Sequence, residues 1–287
     1  MVFIEITLTT IILTYGIKQK GIEVVNNFMF DMFKKLSYSL CQVYSMAVEN
    51  GLDSLYRLVK TLKSKRSILM SKVKKAVIVY GGLECHDPCG VANVFAEILE
   101  KENFEVTKSE TLDIFSTDLT NYDLIVPVWT MGSLTSEQEK NVCEAVASGT
   151  GIAGCHGGMC ATFRNNFKWQ FMTGAQWVAH PGNSNVTYEV NMNKATSSPL
   201  VEGIEDFSLT SEQYYIHIDP AVNVLATTTF TYEGNHTSNG KITLPVAFTK
   251  RWGKGKVYYN SLGHNRYIFD IPQAREMMRR GFLWASR

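Results

Sequence analysis

The chain has 287 residues, of which 45% are hydrophobic and 19% charged, a composition typical of globular proteins. Its 28 basic and 27 acidic residues leave a net charge of +1. Because no charge excess would attract nucleic acid or a membrane surface, the composition favours a small neutral or mildly polar ligand as the partner. The six cysteines show no C-x2-C spacing, so they predict reduced thiols in a cytoplasmic protein rather than a zinc ribbon or a disulfide framework.

The first 69 residues differ from the rest of the chain. They contain no histidine and no proline, and residues 2–17 are mostly apolar but shorter than the ~20-residue apolar stretch of a membrane span. Residues 22–69 show helical spacing of apolar positions. Since Met70 directly precedes the first clear strand, we predict that residues 1–69 are an over-extended gene start. The alternative is a helical extension that packs on the domain or lies on a membrane surface.

Residues 70–287 are predicted to form one α/β domain. Short apolar segments alternate with helical patterns, which predicts strands at 76–80, 104–108, 123–129 and 151–155 and helices at 88–102 and 135–147. Gln138 follows Thr135 at the capping-box spacing, which predicts that the second helix begins there. Repeated strand–helix units of this length predict a doubly wound, mainly parallel sheet.

The second half of the domain is richer in strands. Strands are predicted at 186–192, 207–210, 213–218, 224–230, 244–249 and 256–261. Gly253 and Gly255 predict a hairpin turn before the last of these strands, and Pro272 predicts the start of a terminal helix that ends at Ala285. The fold class predicted is therefore α/β with additional strands in the C-terminal half.

The run Gly154-Cys155-His156-Gly157-Gly158 gives the strongest chemical signal. It lies between a predicted strand and a segment that can begin a helix, which is the arrangement of a nucleophile elbow. The nucleophile position holds His156 where a hydrolase has Ser or Cys, so the pattern argues against acyl transfer. The turn still places a polar side chain at the carboxyl edge of the sheet, where ligands of open α/β folds bind.

Other histidines lie in glycine- or proline-marked loops. His86 follows the first predicted strand, His180 precedes Pro181, and His264 follows a later strand. Because the loops after parallel strands one and four share one sheet edge, His86 and His156 are predicted to converge. A single loop histidine is more often a structural hydrogen-bonding group, so the pair is the stronger signal.

Three further side chains can contribute to a site. Glu212 and Tyr214 share one face of a regular strand, although a polar strand edge with buried tyrosine rings explains them equally well. Trp129, at the end of the third strand, can stack on a sugar ring or close the core. No G-x-G-x-x-G and no P-loop pattern exists, so binding of nicotinamide dinucleotides or nucleoside triphosphates is not supported.

These stretches resemble the trehalose-utilisation (ThuA-like) family over residues 73–286. The residues that carry the resemblance are 79–82 with 86–88, 124–132, 154–160, 170–182, 211–215 and 252–264. The resemblance implies a flavodoxin-like, class I glutamine amidotransferase-like fold without the cysteine nucleophile, and a link to disaccharide use through 3-keto-sugars. Family members often read Gly-Trp-Asp-Gly-His in the first loop. This chain has Leu83, Glu84 and Cys85 before His86, so its substrate contacts there are expected to differ.

Residues and resemblance together favour an enzyme acting on a keto-sugar or glycoside, as an isomerase, lyase or hydrolase but not as a glutamine amidotransferase. His156 would be a base or a metal ligand, with His86 and His264 as partners and Glu212 binding sugar hydroxyls or the metal. Imidazole and carboxylate ligands suit zinc or manganese. The residues expected to contact a sugar substrate are Trp129, His180, Tyr214, Gly157 and Gly158.

A second interpretation is a non-catalytic sugar-binding or subunit-interaction module, because an amidotransferase-like fold that has lost its nucleophile can retain only the pocket. The sequence alone does not choose between metal-assisted and histidine acid–base chemistry. A homo-oligomer is expected only because most soluble oligomers are of this kind.

Overall fold

The computed structural model describes residues 73–230 and 240–287, and Val73–Arg287 forms a compact unit. The predicted helical segment at 1–69 lies outside the described residues. Within the described ranges, no helix is long and apolar enough to cross a membrane.

Strands and helices alternate in the first half, as predicted, and strands dominate the second half. The strands are β1 (Lys74–Gly82), β2 (Phe104–Ser109), β3 (Leu124–Thr130), β4 (Gly151–Cys155), β5 (Ala175–Ala179), β6 (Val186–Met192), β7 (Phe207–Ser211), β8 (Tyr215–Ile218), β9 (Asn223–Phe230), β10 (Ile242–Trp252) and β11 (Gly255–Asn260). The helices are α1 (Pro88–Lys101), α2 (Ser136–Ser148), α3 (Gly157–Cys160), α4 (Phe167–Thr173) and α5 (Pro272–Ala285). Short 3₁₀ turns lie at Glu84–His86, Leu112–Ser116, Leu119–Asn121, Asn183–Asn185 and Arg266–Asp270.

One mixed sheet of nine strands organises the domain, in the order β2-β1-β3-β4-β11-β10-β9-β6-β7. The strands from β2 to β11 pair in parallel, as the strand–helix repeats predicted. The strands from β10 to β7 continue the same sheet with antiparallel pairing. The remaining pair, β5 and β8, forms a separate antiparallel ribbon.

Alternate side chains of β1 enter two different cores, which explains why this strand is apolar throughout. Ala76 and Ile78 belong to the core that contains the buried residues of α1 and α5. Val77 and Val79 belong to the opposite core, which contains those of α2 and α4. Helices therefore cover both faces of the parallel half, and its strand ends are left to form a site.

Local signals in the sequence mark several boundaries correctly. The capping box is present, because Thr135 Oγ1 accepts a hydrogen bond from Gln138 N at 3.2 Å and Gln138 Oε1 accepts one from Thr135 N at 3.0 Å. The terminal helix spans the predicted Pro272–Ala285. The strand predicted at 213–218 begins only at Tyr215, and β5 and α4 were not predicted.

Candidate functional site

His156 occupies a sharp turn between β4 and α3. Its backbone has φ 49° and ψ −140°, a conformation that residues other than glycine rarely adopt and that is typical of functional turns. A Cβ on Gly157 would lie 2.9 Å from the Thr130 side chain, and one on Gly158 would lie 2.9 Å from Val128 Cα. The two glycines therefore allow the turn to pack against β3. The elbow geometry exists, with a histidine at its tip.

The two ring nitrogens of His156 face two oxygens that can accept hydrogen bonds. Nδ1 lies 2.9 Å from the carbonyl oxygen of Ser261, and Nε2 lies 3.1 Å from Glu212 Oε2. A carbonyl only accepts, so Nδ1 carries a hydrogen. In a neutral ring Nε2 then presents a lone pair to an ionised carboxylate, an arrangement that needs a proton or a cation between them. Burial lowers the pKa of His156, against the opposing effect of Glu212.

His86 and His264 complete a cluster of rings around His156. The ring centres of His86 lie 5.1 Å from those of His156 and His264, and the last two are 5.5 Å apart. His86 follows β1, and its Nδ1 lies 2.9 Å from Thr130 Oγ1. Burial, followed by the repulsion of His156, lowers the pKa of His86 to about 4. The predicted convergence of His86 and His156 is confirmed.

Among the residues that the structure describes, Glu212 provides the only carboxylate of this cluster. It lies in the link between β7 and β8, and its backbone oxygen accepts a hydrogen bond from Tyr188 at 3.1 Å. Burial alone would raise the pKa of Glu212, but contacts with His156 and His264 outweigh it and hold this pKa well below its usual range. The cluster therefore combines an ionised carboxylate with two imidazoles, those of His86 and His156, whose charged form is disfavoured.

His264 lies close to Glu212 but makes no hydrogen bond with it. His264 Nδ1 lies 3.2 Å from Glu212 Oε1, a distance that suits an ion pair, but its orientation leaves this buried nitrogen without a hydrogen-bond partner. A buried polar atom of this kind normally has a partner, so its lone pair or proton is available to a ligand in the site.

The donor set as a whole fits a divalent cation. His86, His156, Glu212 and His264 each offer one ligand atom, and these four atoms lie within 4.8 Å of one another. Zinc–nitrogen bonds of about 2.0–2.1 Å place ligand atoms around one ion roughly 3–4 Å apart, so only small side-chain shifts are needed. Three imidazoles and one carboxylate suit zinc and manganese.

The predicted substrate-contacting aromatics lie at different depths. Tyr214 is buried and stacks on His156, with ring centres 4.0 Å apart. His180 is partly exposed, and its Nε2 lies 3.9 Å from Glu212 Oε1. Trp129 packs against the glycine backbone of Gly81 and Gly132, where its atoms would meet an added Cβ at 2.6 and 2.8 Å. Its contacts within the structure are thus those of a residue that closes the core.

Sequence reasoning missed four residues around the cluster. Thr130 ends β3 and contacts His86, and Ser261 supplies the carbonyl that orients His156. The place of Thr130 at the carboxyl edge of the sheet was an available signal, whereas a backbone carbonyl leaves none in the sequence. Trp177 lies 5.3 Å from His180 between ring centres, and Arg164 stacks over Trp177. Both lie in or next to elements that the sequence did not predict.

Comparisons with known proteins agree with this fold. A ThuA-like protein from Parabacteroides merdae ATCC 43184 superposes with a TM-score of 0.61 at 18% identity, covering 75% of this chain and 90% of that one. A ThuA-like protein from Bacteroides uniformis ATCC 8492 gives 0.58 at 15% identity, covering 75% and 92%. A protein from Salmonella typhimurium LT2, described as cytoplasmic, gives 0.54 at 13% identity, covering 74% and 100%.

A search among curated proteins gives no significant match. The family model named ThuA, described as trehalose utilisation, matches residues 75–285. That match spans most of the chain and includes every residue of the histidine–glutamate cluster. The chain therefore belongs to the ThuA family of trehalose utilisation.

Proposed function

We propose that this protein is an enzyme of carbohydrate utilisation that acts on a keto-sugar or glycoside at a divalent-metal centre formed by His86, His156, His264 and Glu212. The observation that carries the proposal is the approach of four ligand atoms to within 4.8 Å at the carboxyl edge of the parallel strands. Ligands bind at that edge in open α/β folds. The family's description as trehalose utilisation supports a sugar as the substrate.

The orientation of His156 supports a cation over a purely structural hydrogen bond. Its Nδ1–H is directed at the Ser261 carbonyl, which is the outer contact that metal-binding histidines commonly make and which leaves Nε2 as the ligand atom. A metal ion between Nε2 and Glu212 would relieve the apposition of a lone pair and a carboxylate. The alternative is that His156 and Glu212 share a proton, in which case the two side chains would act together in general acid–base catalysis.

We extend the proposal to the fold class of the domain and to the cellular location of the protein. The order β2-β1-β3-β4-β11 of the parallel strands corresponds to the 2-1-3-4-5 order of flavodoxin-like folds, which supports a flavodoxin-like, amidotransferase-like architecture. A cytoplasmic location is supported by the Salmonella protein of similar fold, which is described as cytoplasmic.

The residues of this chain have separable roles in such chemistry. When bound, a divalent cation supplies a Lewis acid for the oxygen of a ketone. A carbon next to that ketone loses its proton to a base, and His180 is the candidate base because it lies outside the donor set and is partly exposed. Burial raises the pKa of Tyr214 well above its usual value, so its hydroxyl stays protonated and can donate to a sugar oxygen.

Metal content tests the proposal first. We would purify the full chain without chelator or affinity metal and measure zinc and manganese by elemental mass spectrometry, for the wild type and for a His156→Ala, His264→Ala double variant. His217→Ala is a matched control, because His217 is exposed on β8 and outside the cluster. Near-stoichiometric metal in the wild type and control, lost in the double variant, is expected. A metal-free wild type would overturn the metal centre.

A second experiment separates an enzyme from a binding module. Growth on a disaccharide is compared for cells carrying the wild type and His180→Ala, and sugar binding by the same two proteins is measured calorimetrically. An enzyme predicts that the variant loses growth while its affinity for the sugar changes little. A binding module predicts that growth follows affinity in both proteins.

A further inference from the structure

Near the proposed metal centre lies an arginine, Arg164, that forms no ion pair with a carboxylate of the described residues. Arg164 follows α3, and its guanidinium carbon lies 5.3 Å from the centre of the Trp177 ring. In the ranges that the structure describes, Arg164 takes part in no ion pair and no hydrogen bond. Other arginines of the domain have carboxylate partners, namely Arg266, Arg275, Arg279, Arg280 and Arg287.

A chain of contacts joins this arginine to the cluster. Trp177 lies 5.3 Å from His180 between ring centres, and His180 Nε2 lies 3.9 Å from Glu212 Oε1. Arg164 is partly buried, so its charge is less screened than that of a fully exposed side chain. A guanidinium that stacks on an aromatic face keeps the N–H groups of its edge free to grip a carboxylate or a phosphate.

The surrounding polar atoms also point to a ligand. Trp177 Nε1 and His180 Nδ1 are buried and have no hydrogen-bond partner within the described residues. The same holds for Gln170 Oε1, and the amide nitrogen of Gln170 lies 3.5 Å from the backbone oxygen of Thr162, two residues before Arg164. Such atoms normally have partners, because an unpaired buried polar group is costly. A donor on Trp177 and an acceptor on Gln170 match what the hydroxyl groups of a sugar offer.

We propose that Arg164 and Trp177 form a subsite for an anionic group, and that the substrate of this protein is therefore an acidic or phosphorylated sugar. This inference rests on the proposed function, which supplies the sugar and the reacting centre. Arg164, which lies over the face of the Trp177 ring, binds the carboxylate or phosphate through paired N–H donors. The neutral end of the molecule then extends past His180 toward Glu212.

Calorimetric titration of the full chain tests the subsite with three probes: D-glucose, D-glucuronate and D-glucose 6-phosphate. At least one anion is expected to bind the wild type about tenfold more tightly than glucose, the scale of a charge-assisted hydrogen-bonded pair. Preference for glucuronate would identify a carboxylate, and preference for the phosphate would identify a phosphoryl group. Equal affinity for the three probes, or binding of none, would overturn the proposal.

Variants assign the preference to this arginine. Arg164→Ala and Arg164→Gln should bind the anions no better than glucose, whereas Arg164→Lys should keep part of the preference because it retains the charge without the paired donors. Arg251→Ala is the matched control, since Arg251 is exposed on β10 and takes part in no ion pair among the described residues. A preference that survives in Arg164→Gln would exclude the subsite.

Failure of the subsite and failure of the metal centre give different results. Metal content and thermal unfolding are measured for each Arg164 variant, and both are expected to match the wild type. A wild type that lacks metal but shows an Arg164-dependent preference for anions would refute the metal centre and retain the subsite. A wild type that binds metal but prefers anions only through the metal would show the same preference in Arg164→Gln.

Discussion

Glu212 and His156 are 56 residues apart in the sequence, yet their carboxylate and imidazole lie 3.1 Å apart. The histidine belongs to the parallel half of the sheet and the glutamate to the antiparallel half. The candidate site is thus formed only when both halves are folded.

Glu212→Gln should abolish stoichiometric metal binding while preserving the fold. The amide keeps the shape of the side chain but removes the negative charge that balances a divalent cation, and we expect a loss in metal affinity of at least about 10–100-fold. Competition with a chromogenic chelator measures it. Glu205→Gln is the control, because Glu205 is an exposed partner of Lys194. Equal affinities for both variants would contradict a ligand role for Glu212.

Thr130 should act as a positioning residue for His86. Thr130→Val removes the hydroxyl that lies 2.9 Å from His86 Nδ1 and keeps a similar volume, so metal affinity should fall by about 10–100-fold. Thr130→Ser should restore most of it. Thr150→Val tests the loss of another buried hydroxyl, which contacts backbone oxygens away from the cluster. If Thr130→Val and Thr130→Ser bind metal alike, the hydroxyl does not orient His86.

Gly157→Ala and Gly158→Ala should have different consequences. A Cβ at Gly157 would approach Thr130 at 2.9 Å and His86 Nδ1 at 3.2 Å, whereas one at Gly158 would meet the β3 backbone. Each should destabilise the protein by about 1–3 kcal/mol, the usual cost of overpacking. Only Gly157→Ala should also weaken metal binding measured well below the unfolding temperature. Thermal unfolding and metal titration of both variants test this difference.

Stability should fall at acidic pH in part through Glu276 on α5. The hydrogen bond of Arg279, opposed by burial and helped by Arg280, lowers the pKa of this carboxyl to about 2 from the ordinary 4.5. The unfolded chain therefore binds the proton first. The contribution of this partly exposed group is complete above pH 4.5 and is lost as the pH falls toward 2, with a size of about 1 kcal/mol or less.

Denaturant unfolding of Glu276→Gln across this pH range checks the prediction. The variant should lose stability relative to the wild type at pH 6, and the difference should shrink as the pH approaches 2. Glu100→Gln is the comparison, because Glu100 is exposed on α1 without an ion pair among the described residues. A wild-type–variant difference that stays constant with pH would exclude the linkage.

The sequence predicts the parallel half well because each of its signals is local. Apolar runs, the Thr135 capping box and the glycines of the elbow each determine the backbone within a few residues. The meeting of His86 and His156 follows from strand order alone, since both follow parallel strands. These inferences need no knowledge of distant contacts.

The position of Glu212 could not be predicted in the same way. It lies in an irregular link, so strand periodicity does not determine which side chain it faces. His217 belongs to the same segment of the chain but lies on the exposed side of β8, away from the cluster. Trp177 lies on β5 and Arg164 lies shortly before α4. The mixed polar and aromatic sequences of these two short elements show no clear period.

The sheet order has a geometric consequence for the site. Four strands separate β4 from β7, and at about 4.8 Å per strand a flat sheet would hold their ends roughly 24 Å apart. Glu212 directly follows β7 and still reaches His156, so the antiparallel half must curl back over the strand ends. The pairing of β9 with β10 is irregular between Pro245 and Phe248, and such bulges bend strands.

This curvature makes strand register a determinant of chemistry. A slip of one residue between β9 and β10 would displace everything beyond it by about 3.3 Å, more than the distance between Glu212 and its histidine partner. The position of the far edge of the sheet, and with it the distance between Glu212 and His156, therefore depends on an irregularity that lies well away from the reacting groups. Variants at that irregularity can alter the site without changing any residue that touches a ligand.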